Sequence, residues 1–221
     1  MSSAGVPKLP AVPLGTGIPK IIHQTFRSHD LPAELRANVA AMQEMNPGWK
    51  HRLYDDADIE SFLTWSKLPY RRLDDIAGEA AALLADGRIL GWFQGRMEFG
   101  PRALGARSIL ASPIDADMQA KLNEIKDRED FRPVAPVVLA EEADAWFVDA
   151  GESPFMLFVH DVRPDRADRI PAVRHVDGTA RIQTIRRDQN PLYYDLIAAF
   201  ARQTGVPVLV NTSFNTRGEP V

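Results

Sequence analysis

The stretch GWFQGRMEFGPRALGARSIL, residues 91–110, decides how this chain is read. It continues the strand-like run RILGWF and then carries three arginines, Arg96, Arg102 and Arg107, and four glycines, with Glu98 wedged among them. Glycine permits a tight path in which backbone amides approach a ligand, and the planar fork of arginine suits phosphate or carboxylate. A strand ending in glycine and arginine therefore predicts an anion held at the edge of a sheet. The bland alternative is a surface loop with solvated arginines.

Working outward, strands and helices alternate. Upstream, LDDIAGEAAALLADG reads as an alanine-rich helix stopped by Gly87. Downstream, DADMQAKLNEIKDRE is amphipathic, with Met118, Leu122 and Ile125 on one face. VAPVVLA and FMLFVHDV read as strands, EEADAWF as a short helix, and Asp177-Gly178 as a hairpin-like turn into a further strand. NPLYYDLIAAFARQTG is a helix closed by Gly205, and VPVLVNTSFN an apolar strand running into small polar residues. The region before residue 65 is different. IPKIIHQTF, LPAELRANVAAMQEMNPG (Leu35, Val39 and Met42 on one face), WKHRLYDD and a helix capped by Asp55 or Asp56 make a βαβα series. TWSKLPYRRL breaks it, which places a boundary near Trp65, and residues 1–17 read as a loose tail. Such alternation predicts an α/β layer fold with ligands where strands end.

Further candidate site residues sit at those ends. Lys126, Arg128 and Arg132 follow the amphipathic helix, where cations are also favoured by the helix dipole without any ligand. Lys126 and Arg128 lie about 200° apart on a helix and share a ligand only if the helix ends between them. Asn211, Thr212, Ser213 and Asn215 close the last strand, with Ser213 and Asn215 on one side of an extended chain, or simply form a turn. His175 and Arg181 flank VDGTA, whose turn can carry both into one crevice; a lone histidine is no metal ligand by itself.

Composition limits the ligand. The chain has 221 residues, 45% hydrophobic and 25% charged, and a formal net charge of -4, which argues against a general nucleic-acid binder. It has no cysteine, hence no disulfide, zinc-thiolate site or thiol nucleophile. No signal peptide or membrane span is legible, which reads as a cytoplasmic protein.

GWFQGRMEFGPRALGARSIL, REDFRPVAPVVL, HVDGTARIQTI and PVLVNTSFNTRGEP together resemble the C-terminal domain of the O-carbamoyltransferases that modify nodulation factors and antibiotics, over about residues 65–221. The resemblance implies a YrdC-like domain, an α/β fold with a twisted mixed sheet and a concave anion-binding face. It implies that ATP, with Mg2+, and carbamoyl phosphate yield a carbamoyl-adenylate, and that a companion domain passes the carbamoyl group to an acceptor hydroxyl. The family's lysine-x-arginine feature falls on Lys126 and Arg128 and its serine-x-asparagine feature on Ser213 and Asn215. Arg102 and Arg132 fall in its phosphate-gripping segments and Arg181 in the segment after HVDGTA. These assignments make Lys126, Arg128 and Arg102 the catalytic candidates, and Arg107, Arg132, Arg181, Ser213 and Asn215 the cofactor-binding ones. The family's large N-terminal domain is missing and the chain stops at GEPV, so it reads as a composite or fragment.

IPKIIHQTFRSHDLP and NPGWKHRLYDDADI, over residues 18–64, resemble the beginning of glycosyltransferases with a sugar-binding DxD region. Asp56 and Asp58 form a literal DxD, yet the elements that precede the family's metal pair are absent, so both read as helix-capping acids. His23 and Gln24 would line a nucleotide-sugar site only in a complete enzyme. The alternatives to the carbamoyltransferase reading are thus a glycosyltransferase fragment and a non-catalytic nucleotide-binding module, both with small-molecule ligands.

Overall fold

The structure is a computed structural model that describes residues 21–25, 29–95, 98 and 100–215. The tail, residues 1–17, and Arg96 lie outside the described residues, and of His23 and Gln24 only the backbone is described. The chain divides into two compact units, Met1–Arg72 and Leu73–Val221. Among the described residues no helix is long and apolar enough to cross a membrane.

The first unit runs β1 (Ile21–Thr25), α1 (Ala33–Met45), β2 (Lys50–Tyr54) and α2 (Asp56–Ser66), with β1 and β2 parallel. A parallel pair needs a crossover, and α1 supplies it. α2 starts at a full capping box. Asp55 accepts from the amides of Ala57 and Asp58, while the Asp58 carboxylate accepts from the Asp55 amide. Trp65 lies inside α2, seven residues before the last residue of this unit.

The second unit is built on a mixed sheet of β3 (Leu90–Phe93), β4 (Arg107–Ala111), β5 (Ala135–Leu139), β8 (Gln183–Ile185) and β9 (Val208–Ser213), in the order β3-β4-β9-β5-β8. β9 lies between β4 and β5, antiparallel to both, and β8 is parallel to β5. β5 is buried along its whole length and β9 over Val208–Asn211, which explains their near-continuous apolar runs.

Two helices cover this core. α3 (Ile76–Ala85) is capped by Asp75, which accepts from the Gly78 amide, and buries Ala80, Ala81 and Leu84. α6 (Pro191–Thr204) begins with Asn190 accepting from the Tyr193 amide and proline in its first turn, and ends at Gly205 in the left-handed region. α6 buries Tyr193, Leu196, Ile197 and Phe200 completely, each worth roughly 1.5–3 kcal/mol by transfer from water.

α4 (Met118–Ile125) and the segments after β5 differ from the sequence expectation. Met118 and Leu122 of α4 are buried, but Ile125 is half exposed and Asn123 is fully buried in its place. FMLFVHDV yields only the short β6 (Val159–Asp161), which pairs antiparallel with β7 (Thr179–Arg181) in a separate ribbon. The run TARIQTI is split at Ile182, with β7 in the ribbon and β8 in the main sheet. α5 (Ala143–Trp146) is the short helix expected from EEADAWF.

Candidate active site

Arg102 follows β3, Arg128 follows α4, Arg181 ends β7 and Ser213 ends β9, yet all four line one cavity of about 100 Å³ in the second unit. Asn211 lines it as well, and no carboxylate does among the described residues. Burial and then repulsion from Arg102 pull the Arg181 guanidinium below its ordinary pKa. Arg128 is lowered by burial and then by Arg132, which Glu129 only partly offsets. Arg128 Nη2 and Arg181 Nε are buried without a hydrogen-bond partner among the described residues. Buried guanidinium donors with unmade bonds, each beside another arginine, are groups that an anion can satisfy.

The local chain explains how each arginine arrives. α4 stops at Ile125, Lys126 caps it, and Asp127 takes a positive φ of 46° that turns the chain. The helix has therefore ended between Lys126 and Arg128, removing the angular obstacle. Arg128 Nε donates to Asn123 Oδ1 at 2.6 Å, and Asn123 Nδ2 donates to the carbonyls of Asp130 at 2.9 Å and Arg132 at 3.0 Å. Asn123 thus organises the whole turn. A polar residue beside an apolar stripe was the available signal.

The Arg102 loop is pinned from three directions. Glu98 Oε1 accepts from the amides of Leu104 at 2.6 Å and Ala106 at 2.7 Å, and its Oε2 from the Arg107 amide at 3.2 Å. Gln183 Nε2 donates to the Leu104 carbonyl at 2.9 Å, and Asn211 Nδ2 to the Ala103 carbonyl at 3.0 Å. Gly105, at φ 110°, lies so close to the Tyr193 ring that a Cβ there would fall 2.3 Å from Cδ1. Neither Gln183 nor this use of Glu98 was legible from local pattern, because their partners are distant in sequence or backbone.

Four expected site residues do other work. Lys126 does not line the cavity: Nζ donates to the carbonyls of Ser213 at 2.6 Å and Asn215 at 2.7 Å, and to Asn215 Oδ1 at 3.0 Å. It is a buried tether for the end of β9, its pKa lowered to about 8 by burial and then by Arg128. Asn215 is the other half of that tether and also accepts from Ser213 Oγ. Arg107 spends its guanidinium on the carbonyls of Gln94, Gly95 and Ala106 and lies 3.5 Å over the Phe93 ring. Arg132 is exposed and donates to Glu129 at 2.7 Å. The three cations each find a nearer acceptor than the cavity offers, and Asn215 is spent as an acceptor itself.

Arg181 also walls a second hollow of about 120 Å³, with Val134, Val159 and His175. The turn at VDGTA does bring His175 and Arg181 into one crevice. Burial, and to a smaller extent the Arg181 charge, lower the His175 pKa against the pull of Asp177.

In the first unit, the N-cap of α2 is Asp55, and Asp56 is only a first-turn acid. Asp58 completes the capping box and lies 2.9 Å from His29 Nε2. His29, Asp55 and Asp58 make a compact three-ligand group, but both carboxylates already serve the helix start.

The chain is similar to several known proteins. Nodulation protein NolNO of Sinorhizobium fredii is 48% identical over 179 residues, 78% of this chain and 26% of that protein. The 3'-hydroxymethylcephem-O-carbamoyltransferase of Amycolatopsis lactamdurans is 48% identical over 155 residues, 70% of this chain and 28% of that protein. The crystal structure of T. kodakarensis HypF matches at a TM-score of 0.46 and 16% identity, covering 68% of this chain and 18% of that one. The chain thus spans roughly a quarter of the length of the curated relatives it matches. The carbamoyltransferase C-terminus model matches residues 81–221, which include every side chain of the arginine-lined cavity, and the chain belongs to that family.

Proposed function

We propose that the second unit uses ATP and carbamoyl phosphate to form a carbamoyl-adenylate, for transfer to a hydroxyl by a companion domain. The reading is carried by Arg102, Arg128 and Arg181 converging on one cavity, where Arg128 Nη2 and Arg181 Nε are buried without a hydrogen-bond partner among the described residues. Atom balance sets the order of events. Water releases phosphate from carbamoyl phosphate, leaving carbamate; a carbamate oxygen attacks the α-phosphorus of ATP, and the bond to pyrophosphate breaks. Negative charge grows on the equatorial and leaving oxygens, where fixed guanidinium donors stabilise it in a partly desolvated pocket. This scheme requires no side-chain nucleophile. Among the described residues the lining has no carboxylate, so a Mg2+ ion accompanying ATP would be held chiefly by the phosphates.

The name of the Amycolatopsis relative, an O-carbamoyltransferase, supports carbamoyl transfer. The test is pyrophosphate release by the 221-residue chain with both substrates, alongside calorimetric binding of ATP. The expected result is release dependent on both substrates and reduced about 100-fold or more by Arg102→Ala or Arg181→Ala, the range seen when one charge-stabilising donor is removed. Turnover untouched by either substitution would remove the assignment.

A further inference from the structure

The cavity is not uniformly cationic. Asn211 is 1% exposed and lines it, and its Oδ1 is buried without a hydrogen-bond partner among the described residues. The orientation of that amide is dictated by its surroundings. The Leu104 carbonyl can only accept, so Gln183 must turn Nε2 toward it at 2.9 Å. Gln183 therefore presents Oε1 to Asn211, 2.7 Å from Nδ2. The Ala103 carbonyl, 3.0 Å from the same Nδ2, also needs a donor. A flipped Asn211 would set its oxygen against two acceptors at once. Two backbone carbonyls, read through a two-amide relay, thus force an acceptor to remain at the cavity wall.

We propose that Asn211 Oδ1 accepts a hydrogen bond from the amino group of the bound carbamoyl unit, and that Asn211, oriented by Gln183, selects carbamoyl over the isosteric acetyl group. This rests on the functional reading above and adds to it a determinant of acyl choice. The arginines can satisfy only acceptors, since guanidinium donates and never accepts. A ligand that satisfies the whole wall must carry acceptors on one side and a donor such as N–H on the other, as carbamoyl phosphate and carbamate do. An acetyl group puts a methyl against Oδ1 and leaves a buried acceptor unpaired, the kind of mismatch that discriminates most strongly.

The experiment is calorimetric binding of carbamoyl phosphate and of acetyl phosphate to the 221-residue chain in the presence of a non-hydrolysable ATP analogue. The wild type is expected to bind acetyl phosphate about 10- to 100-fold more weakly. Asn211→Leu should bring the ratio of the two affinities toward one, and Gln183→Met, which unlocks the amide, should lower it part of the way. Wild-type affinities within about twofold of each other, or a ratio unchanged in Asn211→Leu, would overturn the proposal. So would a loss in Asn211→Leu confined to ATP alone, which would make the acceptor a reader of the purine. If Asn211→Leu does not fold, the wild-type ratio and the Gln183→Met variant decide. Absence of binding by either acyl phosphate removes the functional reading and this inference together, whereas equal binding of both removes the inference alone.

Discussion

Substituting Gly105 by alanine is the most direct test of how the Arg102 loop is held. An added Cβ would lie 2.3 Å from Tyr193 Cδ1, 2.4 Å from Cε1 and 2.9 Å from Cγ. The ring cannot swing away easily, because Tyr193 is fully buried and its centroid lies 6.5 Å from that of Trp92. Overpacking of this kind costs about 1–3 kcal/mol, and a backbone held at φ 110° adds about 1–3 kcal/mol for a residue with a side chain. The sum, about 2–6 kcal/mol, outweighs the ~0.4–1 kcal/mol gained from the less flexible unfolded chain. The strain also displaces two hydrogen bonds, Trp92 Nε1 to the Gly105 carbonyl at 3.0 Å and the Gly105 amide to Ser108 Oγ at 3.1 Å. Urea unfolding followed by tryptophan fluorescence measures the loss. Gly178→Ala is the control, since that glycine has a positive φ but nothing within 4 Å, and only the strain contribution of about 1–3 kcal/mol is expected there. A Gly105→Ala protein within about 0.5 kcal/mol of wild type would refute the claim that close packing against Tyr193 fixes this loop.

Two other perturbations probe the supports of the site. Glu98→Ala removes the acceptor of three backbone amides, and the unpaired donors should cost about 1–3 kcal/mol in urea unfolding with weakened ATP binding, while Glu98→Gln should recover part of both; an Ala variant as stable as wild type would show that the loop needs no such anchor. Lys126 tests linkage: its folded value of about 8 lies below the 10.5 of a free lysine, so the unfolded chain binds more protons between those limits and stability rises as pH climbs from about 8 to 10.5. The gain, on the order of 2–3 kcal/mol, should appear as wild-type stability increasing relative to Lys126→Met over that range. Parallel pH curves for the two proteins would show that burial exerts no such effect on the ammonium.

Local chemistry announced much of this molecule. Helix α3 is legible from its alanine body and Gly87, α6 from Asn190, Pro191 and Gly205, and β5 and β9 from their apolar runs, because caps and periodic burial act within a few residues. The same reasoning put cations at the ends of those elements. It could not see β4, whose residues 107–111 follow a glycine-rich loop and become a strand only by pairing with β3 and β9.

The allocation of the charged side chains was left to the tertiary structure. Arg107, Arg132 and Lys126 each find acceptors that the fold places beside them, and leave the cavity to Arg102, Arg128 and Arg181. What the sequence alone determined was an α/β chain with an arginine-rich segment beyond a strand. Which arginines line a common cavity, and that a buried asparagine lines it with them, was decided by the β3-β4-β9-β5-β8 order. Hydrogen-bond partners drawn from opposite ends of a chain compete for each donor only after the sheet has brought them within reach.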